Sequence, residues 1–363
     1  MRVLLVTHEA SRSGAPRVAL LVAKCLVEMG HVVEVISQTS GPMLADFEKV
    51  VPTSVQPFSR LRRRLWRTTG LRRVAWLVDT TLAMATLMRR RPELVYVNST
   101  AASVYLTPAR RLGCRTLLHA HESGPLVEEF LRKARVAPRL QGTTLVGCSP
   151  SVRSALAELS QRDEDDVAML PSVPDDAEVE RRSHETPDQP YGRDELVVGS
   201  CGSVEWRKGA DLWVQVASLV QTARPDLPVR FVWIGDQTEA LDLPGQERPA
   251  TFAGPSPNPY AHMRRFDIAT LTSRDDPFPL VVLESMLVGV PVVAFDVGSV
   301  ADQVGDAGVL VTPQDTQAFA DAVVALLTDA AERSRLGRAG QERVRELYST
   351  RAFAAGLHRV LTS

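Results

Sequence analysis

The sequence predicts an α/β protein made of two Rossmann-like, doubly wound domains. Three observations carry this expectation. Residues 3–37 read as strand, loop, helix and strand, the βαβ unit of a parallel sheet. A second opening of the same kind starts at Glu195-Leu-Val-Val-Gly-Ser-Cys-Gly202. Between the two lies a charged stretch with Pro171, Pro174, Pro187 and Pro190 and almost no apolar periodicity, which reads as a linker. The expected boundaries are 1–172 for the first domain, 173–193 for the linker and 194–345 for the second domain. A C-terminal helix over 346–363 is expected to return toward the first domain.

The composition agrees with two buried cores. The chain has 363 residues, 44% of them hydrophobic, an ordinary length for two domains. A net charge of −1 gives no global nucleic-acid signature. Cys25, Cys114, Cys148 and Cys201 are far apart and form no C-x-x-C pair, which suits free thiols in a reducing cytoplasm. The opening Met1–Thr7 is too short for a signal peptide and reads as a strand. No window reaches the roughly 18 apolar residues of a membrane span.

In the first half, Val3 to Thr7 is the first strand. The loop from His8 to Pro16 follows, then an amphipathic helix from Arg17 to Met29 stopped at Gly30, then a strand from His31 to Ser37. The loop lacks G-x-G-x-x-G and offers only Gly14, either a turn glycine or a point where a ligand phosphate comes close to the backbone. Strands follow at Glu93–Asn98, Cys114–Ala120, Thr143–Ser149 and Val167–Leu170. His119-Ala-His121-Glu122 closes one of them, at the strand end where open α/β sheets bind ligands. His-x-His alone, with no further His/Cys cluster, is weak support for a metal, and none is expected.

Residues 57–91 are strongly basic. Arg60, Arg62, Arg63, Arg64, Arg67, Arg72 and Arg73 are interleaved with Leu61, Leu65, Trp66 and Leu71, and Arg89, Arg90 and Arg91 close the next helix. Such a segment is either a solvated helix face or a peripheral contact with an anionic membrane through residues 60–73. The expected location is therefore the cytoplasm, with the inner face of the membrane as a peripheral site.

The second half places a strand before Ser203-Val-Glu-Trp-Arg-Lys-Gly209 and a helix from Ala210 to Thr222. Strands are expected at Val229–Ile234, Thr251–Ala253, Asp267–Thr272, Val292–Phe295 and Gly308–Val311. The densest stretch is Ser273-Arg-Asp-Asp-Pro-Phe-Pro-Leu-Val-Val-Leu-Glu-Ser-Met. Pro279 suits a first helical position, and Gly289 ends the helix. The free amides of Leu280 and Val281 make a seat for phosphate. Side chains tilt toward a helix N-terminus, so Glu284 leans back toward that seat and Asp276 lies in the loop over it. Two acids around an anion seat suit a ligand that also carries hydroxyls, as a sugar nucleotide does.

These pieces resemble the retaining glycosyltransferases of family 4. The resemblance covers nearly the whole chain and is most specific over residues 199–311. The family's Glu-x7-Glu is matched by Asp276-Pro-Phe-Pro-Leu-Val-Val-Leu-Glu284. The resemblance implies the GT-B fold, two Rossmann-like domains facing each other across a cleft, with the acceptor on the first and the nucleotide sugar on the second. It further implies that Glu284 binds the donor ribose and Asp276 the hydroxyls of the transferred sugar. The amides of Leu280 and Val281 would hold the diphosphate, behind Phe278 and Pro279. Lys208 would neutralise the leaving diphosphate, His121 would line the reacting face of the sugar, and Gly235, Pro255 and Ser256 would flank the base. Three positions depart from the pattern. Asp276 is one methylene short, Ser203 stands where an arginine is usual, with Arg207 as a substitute, and Ser13-Gly14-Ala15 replaces Gly-Gly.

The expected reaction is transfer of a sugar from a nucleoside diphosphate to a hydroxyl of a glycan, a lipid-linked glycan or a small-molecule glycoside, without cofactor or metal and with retention. A helix N-terminus and Lys208 would stabilise the leaving diphosphate. A nucleotide-sugar epimerase of related fold and a catalytically weak nucleotide-sugar-binding protein are the alternatives. An NAD-dependent dehydrogenase is disfavoured by the missing glycine fingerprint.

Overall fold

The computed structural model describes residues 1–136, 140–189, 195–239 and 250–362, with the side chains of 59, 60, 63, 67 and 69 excepted. Linker residues 190–193, Pro190 among them, and the side chains of Arg60, Arg63 and Arg67 thus lie outside the described residues. The chain divides into two compact units, Met1–Ser172 with Phe353–Ser363, and Val173–Ala352.

The first unit holds a seven-stranded parallel sheet of order β3-β2-β1-β4-β5-β6-β7. Its strands are β1 (Arg2–Thr7), β2 (Val32–Ser37), β3 (Thr53–Val55), β4 (Leu94–Asn98), β5 (Arg115–Ala120), β6 (Thr143–Gly147) and β7 (Ala168–Met169). All five residues of β4, and all but the first of β1 and β5, are buried, as in a parallel sheet covered on both faces. The order reverses between β1 and β4, and ligands of open sheets sit at the strand C-termini of such a switch point. Register puts Thr7 beside Asn98, and Asn98 beside His119.

The first helix spans Gly14–Glu28 and begins before the expected Arg17. Pro16 in its first turn costs no hydrogen bond there, so the helix includes the glycine that the sequence suggested was in the loop. The basic segment forms helices Ser59–Arg67 and Arg72–Arg90. Asp79, the single acid between residues 57 and 91, is buried and forms an ion pair with Arg62. It also accepts from Trp66 Nε1 at 2.7 Å, and Arg62 donates to the Gln38 carbonyl at 3.0 Å. Trp66 is thus tied inward rather than offered to a surface.

The second unit holds a six-stranded parallel sheet of order β10-β9-β8-β11-β12-β13. The strands are β8 (Leu196–Cys201), β9 (Val229–Ile234), β10 (Ala250–Gly254), β11 (Ile268–Leu271), β12 (Val292–Phe295) and β13 (Gly308–Val311). Trp213 stands edge-on to Trp233 with centroids 5.3 Å apart and donates from Nε1 to Thr270 Oγ1 at 3.0 Å. Its buried indole therefore keeps its one donor satisfied. The switch point lies between β8 and β11, at the ends that lead into residues 202–209 and 272–279.

Residues read as a linker include a helix, Asp176–Ser183. Asp175 caps it by accepting from Glu178 N at 3.0 Å, and Val179 is buried beneath it. In the first unit, Arg115 donates to the Leu361 carbonyl at 3.1 Å, which fastens the C-terminal segment to β5.

Candidate active site

In the second unit two loops meet at the switch point, residues 202–209 after β8 and 272–279 after β11. Gly209 has φ +71, and a Cβ there would collide with the Thr272 carbonyl. Thr272 Oγ1 donates to the Gly209 carbonyl at 3.0 Å, Arg274 N to the Arg207 carbonyl at 2.8 Å, and Arg207 Nη1 to the Asp275 carbonyl at 2.9 Å. Arg274 grips Asp211 through two bonds of 2.7 and 2.6 Å and stacks on Trp206. So laced, the loops bring Lys208 Nζ onto Asp276 Oδ2 in an ion pair whose side chains are only 18% and 10% exposed. Sequence reading gave these two residues separate partners. Opposite charges drawn into a poorly solvated loop pair with each other instead.

The Asp276 loop is braced from the β12 side. Gly298 (φ +55) lies so close that a Cβ would strike the Asp276 carbonyl. Ser299 N donates to the Pro277 carbonyl at 3.2 Å, and Gln303 Nε2 donates to the Pro279 carbonyl at 3.2 Å. Pro279 is the cap rather than the first helical residue, with ψ 113, and the helix spans Leu280–Leu287. Leu280 and Val281 then supply the first amides, which have no partner within the helix. Glu284 is buried in the same helix, at 1% exposure. Phe278 packs edge-to-face on Tyr348, so its ring supports the loop from the protein side.

The other positions that the sequence suggests for a donor site follow the C-terminal ends of β8, β9 and β10. Ser203 follows Gly202. Gly235 passes so close to the Gly202 carbonyl that no Cβ fits, and its N–H donates to the Gly254 carbonyl at 2.9 Å. Pro255 is exposed, and Ser256 Oγ donates to Asp188 at 3.1 Å. Asp188 also pairs with the buried His262, whose hydrogen bond, more than that of Ser256, holds the carboxyl below its usual range. Arg207, expected to stand in for the arginine missing at Ser203, has its guanidinium on Glu205 at 2.8 Å, so part of its charge is balanced within its own loop.

In the first unit, His121 follows β5 and both of its ring nitrogens are engaged. Nδ1 lies 3.0 Å from Ser172 Oγ, and Nε2 lies 3.2 Å from Asn98 Oδ1. Burial, then the charge of His8, pushes its pKa down to about 3. His119 packs against it with ring centroids 4.1 Å apart and planes tilted by 46°, its Nε2 donating to the Leu170 carbonyl at 3.0 Å and its Nδ1 facing Tyr96 OH at 2.8 Å. Glu122 accepts from Thr100 Oγ1 at 2.7 Å and from the His121 amide at 3.2 Å. Glu9, in the loop before Gly14, takes Ser11 and Ser13 hydroxyls at 2.5 and 3.2 Å. A hydrogen bond from His8 is the main reason its pKa falls to about 2. Gly14 itself is exposed in the first helical turn. Asn98, Ser172 and Glu9 escaped sequence reading. The only available signal was that Asn98 and Glu9 stand at or just past strand C-termini.

Among the described residues no group of three or more His, Cys, Asp or Glu side chains could hold a metal ion, and no helix is long and apolar enough to cross a membrane.

Two parallel sheets, each with its switch point, and a cation–acid pair before a helix N-terminus define a protein of two Rossmann-like units, and comparison with known proteins gives its family. A model of Glycosyltransferase Family 4 matches residues 12–177, and one of glycosyl transferases group 1 matches residues 195–329. The chain belongs to the family 4 glycosyltransferases. The D-inositol 3-phosphate glycosyltransferase of Corynebacterium urealyticum is 32% identical over 152 residues, 38% of this chain and 36% of its own length. That of Stackebrandtia nassauensis is 29% identical over 220 residues, 54% of this chain and 48% of its own length. The chain thus spans less than half the length of these curated relatives. Among solved structures, Anabaena HepE in complex with UDP and glucose is similar over 100% of both chains, at 19% identity and TM-score 0.78. Sucrose-phosphate synthase from Thermosynechococcus elongatus covers 99% of this chain and 98% of its own, at 19% identity and TM-score 0.75. At these identities the likeness concerns the fold, which is GT-B.

Proposed function

We propose that this protein is a retaining, metal-independent glycosyltransferase that moves a sugar from a nucleoside-diphosphate sugar to a hydroxyl acceptor. The observation that carries the reading is the Lys208–Asp276 pair at the β8/β11 switch point, four residues before the helix that starts at Leu280. Breaking a buried pair with nothing in return costs about 3–5 kcal/mol. Such a pair yields to a ligand that brings both an anion for Lys208 and hydroxyls for Asp276. A sugar diphosphate has both, and the amides of Leu280 and Val281 offer its phosphates further donors. Glu284 then takes the ribose hydroxyls. Gly235, Pro255 and Ser256 flank the base.

In this reading the bond from the anomeric carbon to the diphosphate oxygen breaks, and the acceptor oxygen bonds that carbon from the same face. The acceptor proton passes to the departing diphosphate oxygen, so no protein carboxylate serves as nucleophile. Lys208 and the helix amides meet the charge that develops on the diphosphate, which is the work a metal does elsewhere. HepE, solved with UDP and glucose, makes a uridine nucleotide the first donor to try. The relatives named for D-inositol 3-phosphate make a phosphorylated polyol an acceptor to try beside glycans, lipid-linked glycans and small glycosides. The basic helices would bring the protein to an anionic membrane surface where a lipid-linked acceptor lies.

The test is product analysis with a nucleotide sugar, with and without acceptor, in the presence of a chelator. We expect acceptor-dependent release of nucleoside diphosphate and a glycoside that keeps the donor's anomeric configuration. An inverted product would remove the retaining assignment. Epimerised sugar and free nucleotide without any acceptor would make the protein an epimerase.

A further inference from the structure

The hydrogen bonds around His121 fix where its proton sits. Asn98 is fully buried at the end of β4, and its Nδ2 lies 2.9 Å from the Ala15 carbonyl. A carbonyl only accepts, so the amide must turn its NH2 to Ala15. Reversing it would set two oxygens against each other. Oδ1 therefore faces His121 Nε2 at 3.2 Å and accepts, and that nitrogen must carry a hydrogen. In a neutral ring Nδ1 is then the acceptor, and the Ser172 hydroxyl at 3.0 Å donates to it. Each donor in the chain from Ala15 to Ser172 has one compatible direction.

We propose that Asn98 is a positioning residue that holds His121 as a neutral imidazole with its hydrogen on Nε2. His121 then shapes the sugar site without exchanging a proton in the transfer. The surroundings agree. Among the described residues, the charged and titratable groups around the ring are His8, the neighbouring His119 and Glu122. The electrostatic effect of His8 disfavours the imidazolium. The Glu122 carboxylate is occupied by the Thr100 hydroxyl and amide, the Ser99 hydroxyl and the His121 amide, and no bond from it reaches the ring. Burial disfavours the imidazolium further and accounts for the depressed pKa. An imidazole fixed in this way is a poor general base, which deepens the proposed function. The proton placement itself does not depend on that function.

The test is a nitrogen NMR spectrum of the full chain labelled at histidine, with His121 assigned by its loss in His121→Gln. We expect ring shifts of the neutral Nε2–H form, unchanged between pH 5 and 8. In Asn98→Asp a carboxylate faces Nε2, and the same signals should titrate within that window. Ser172→Ala should keep the Nε2–H form, since Asn98 still directs it. A wild-type ring with its hydrogen on Nδ1, or one that titrates near the ordinary 6.5, overturns the proposal even if Asn98→Asp fails to fold. Unchanged glycosyl transfer in His121→Gln, with the wild-type tautomer as expected, would instead count against the functional reading of His121.

Discussion

Lys208 and Asp276 are 68 residues apart in the chain and form one charge pair in the structure. Each residue was legible in the sequence, Lys208 by its place before Gly209 and Asp276 by its eight-residue spacing from Glu284. Their pairing was not, because it depends on two loops being laced through Arg274, Arg207 and Thr272, which no local pattern records. Removing Lys208 takes away the cation proposed to meet the diphosphate and leaves Asp276 unpaired. Loss of one such charge-stabilising donor commonly costs ~10²–10³ in rate. Lys208→Ala should lose that much in turnover while its circular dichroism stays native. Near-normal turnover would remove Lys208 from the mechanism. For His121 the residue type and the strand end were visible, but not its two partners. Asn98 and Ser172 come from different elements and only the folded sheet brings them to the ring.

At the scale of elements, strongly periodic segments read well and polar ones did not. The buried strands β1, β4, β8 and β12 are continuous apolar runs and stand within about a residue of their expected positions. β3 has three residues and no run long enough to see. The helix Asp176–Ser183 was obscured by the surrounding prolines, although Asp175 and Glu178 carry the spacing of an N-cap. The helices Ser59–Arg67 and Arg72–Arg90 read as amphipathic in sequence, yet Arg62 and Trp66 serve the interior through Asp79. Among the described residues here, Phe58, Leu61, Leu77 and Met88 are each more than half exposed, in or next to the same helices as the exposed Arg64, Arg72 and Arg73. Apolar side chains that protrude among guanidinium groups suit an anionic lipid surface, each cation adding about 1 kcal/mol near it. We expect the protein to sediment with phosphatidylglycerol vesicles at low salt and not with phosphatidylcholine vesicles. The double variant L61S/L77S should bind less. Absence from the phosphatidylglycerol pellet at low salt would make these helices an ordinary solvated face.

At the scale of the whole molecule, the two α/β units were legible because each restarts the same strand–helix alternation, and the family resemblance rested on motifs spread through both. The division of work is less visible in sequence. The second unit concentrates the pattern that carries over, since diphosphate and ribose are common to all donors of the proposed kind. In the proposed function the first unit would suit an acceptor, whose chemistry no short motif states. The proposed function therefore requires that the second unit bind a nucleotide sugar. The direct measurement is the melting temperature of the protein with UDP-, GDP- and dTDP-sugars, alongside Glu284→Ala. A ligand at ~100 times its Kd adds about 2.7 kcal/mol, which for a unit of this size raises Tm by roughly 5–10 °C. We expect such a rise with at least one nucleotide sugar, UDP-glucose first, and its loss in Glu284→Ala. No rise with any of them, in a protein that melts cooperatively, would contradict the proposed function.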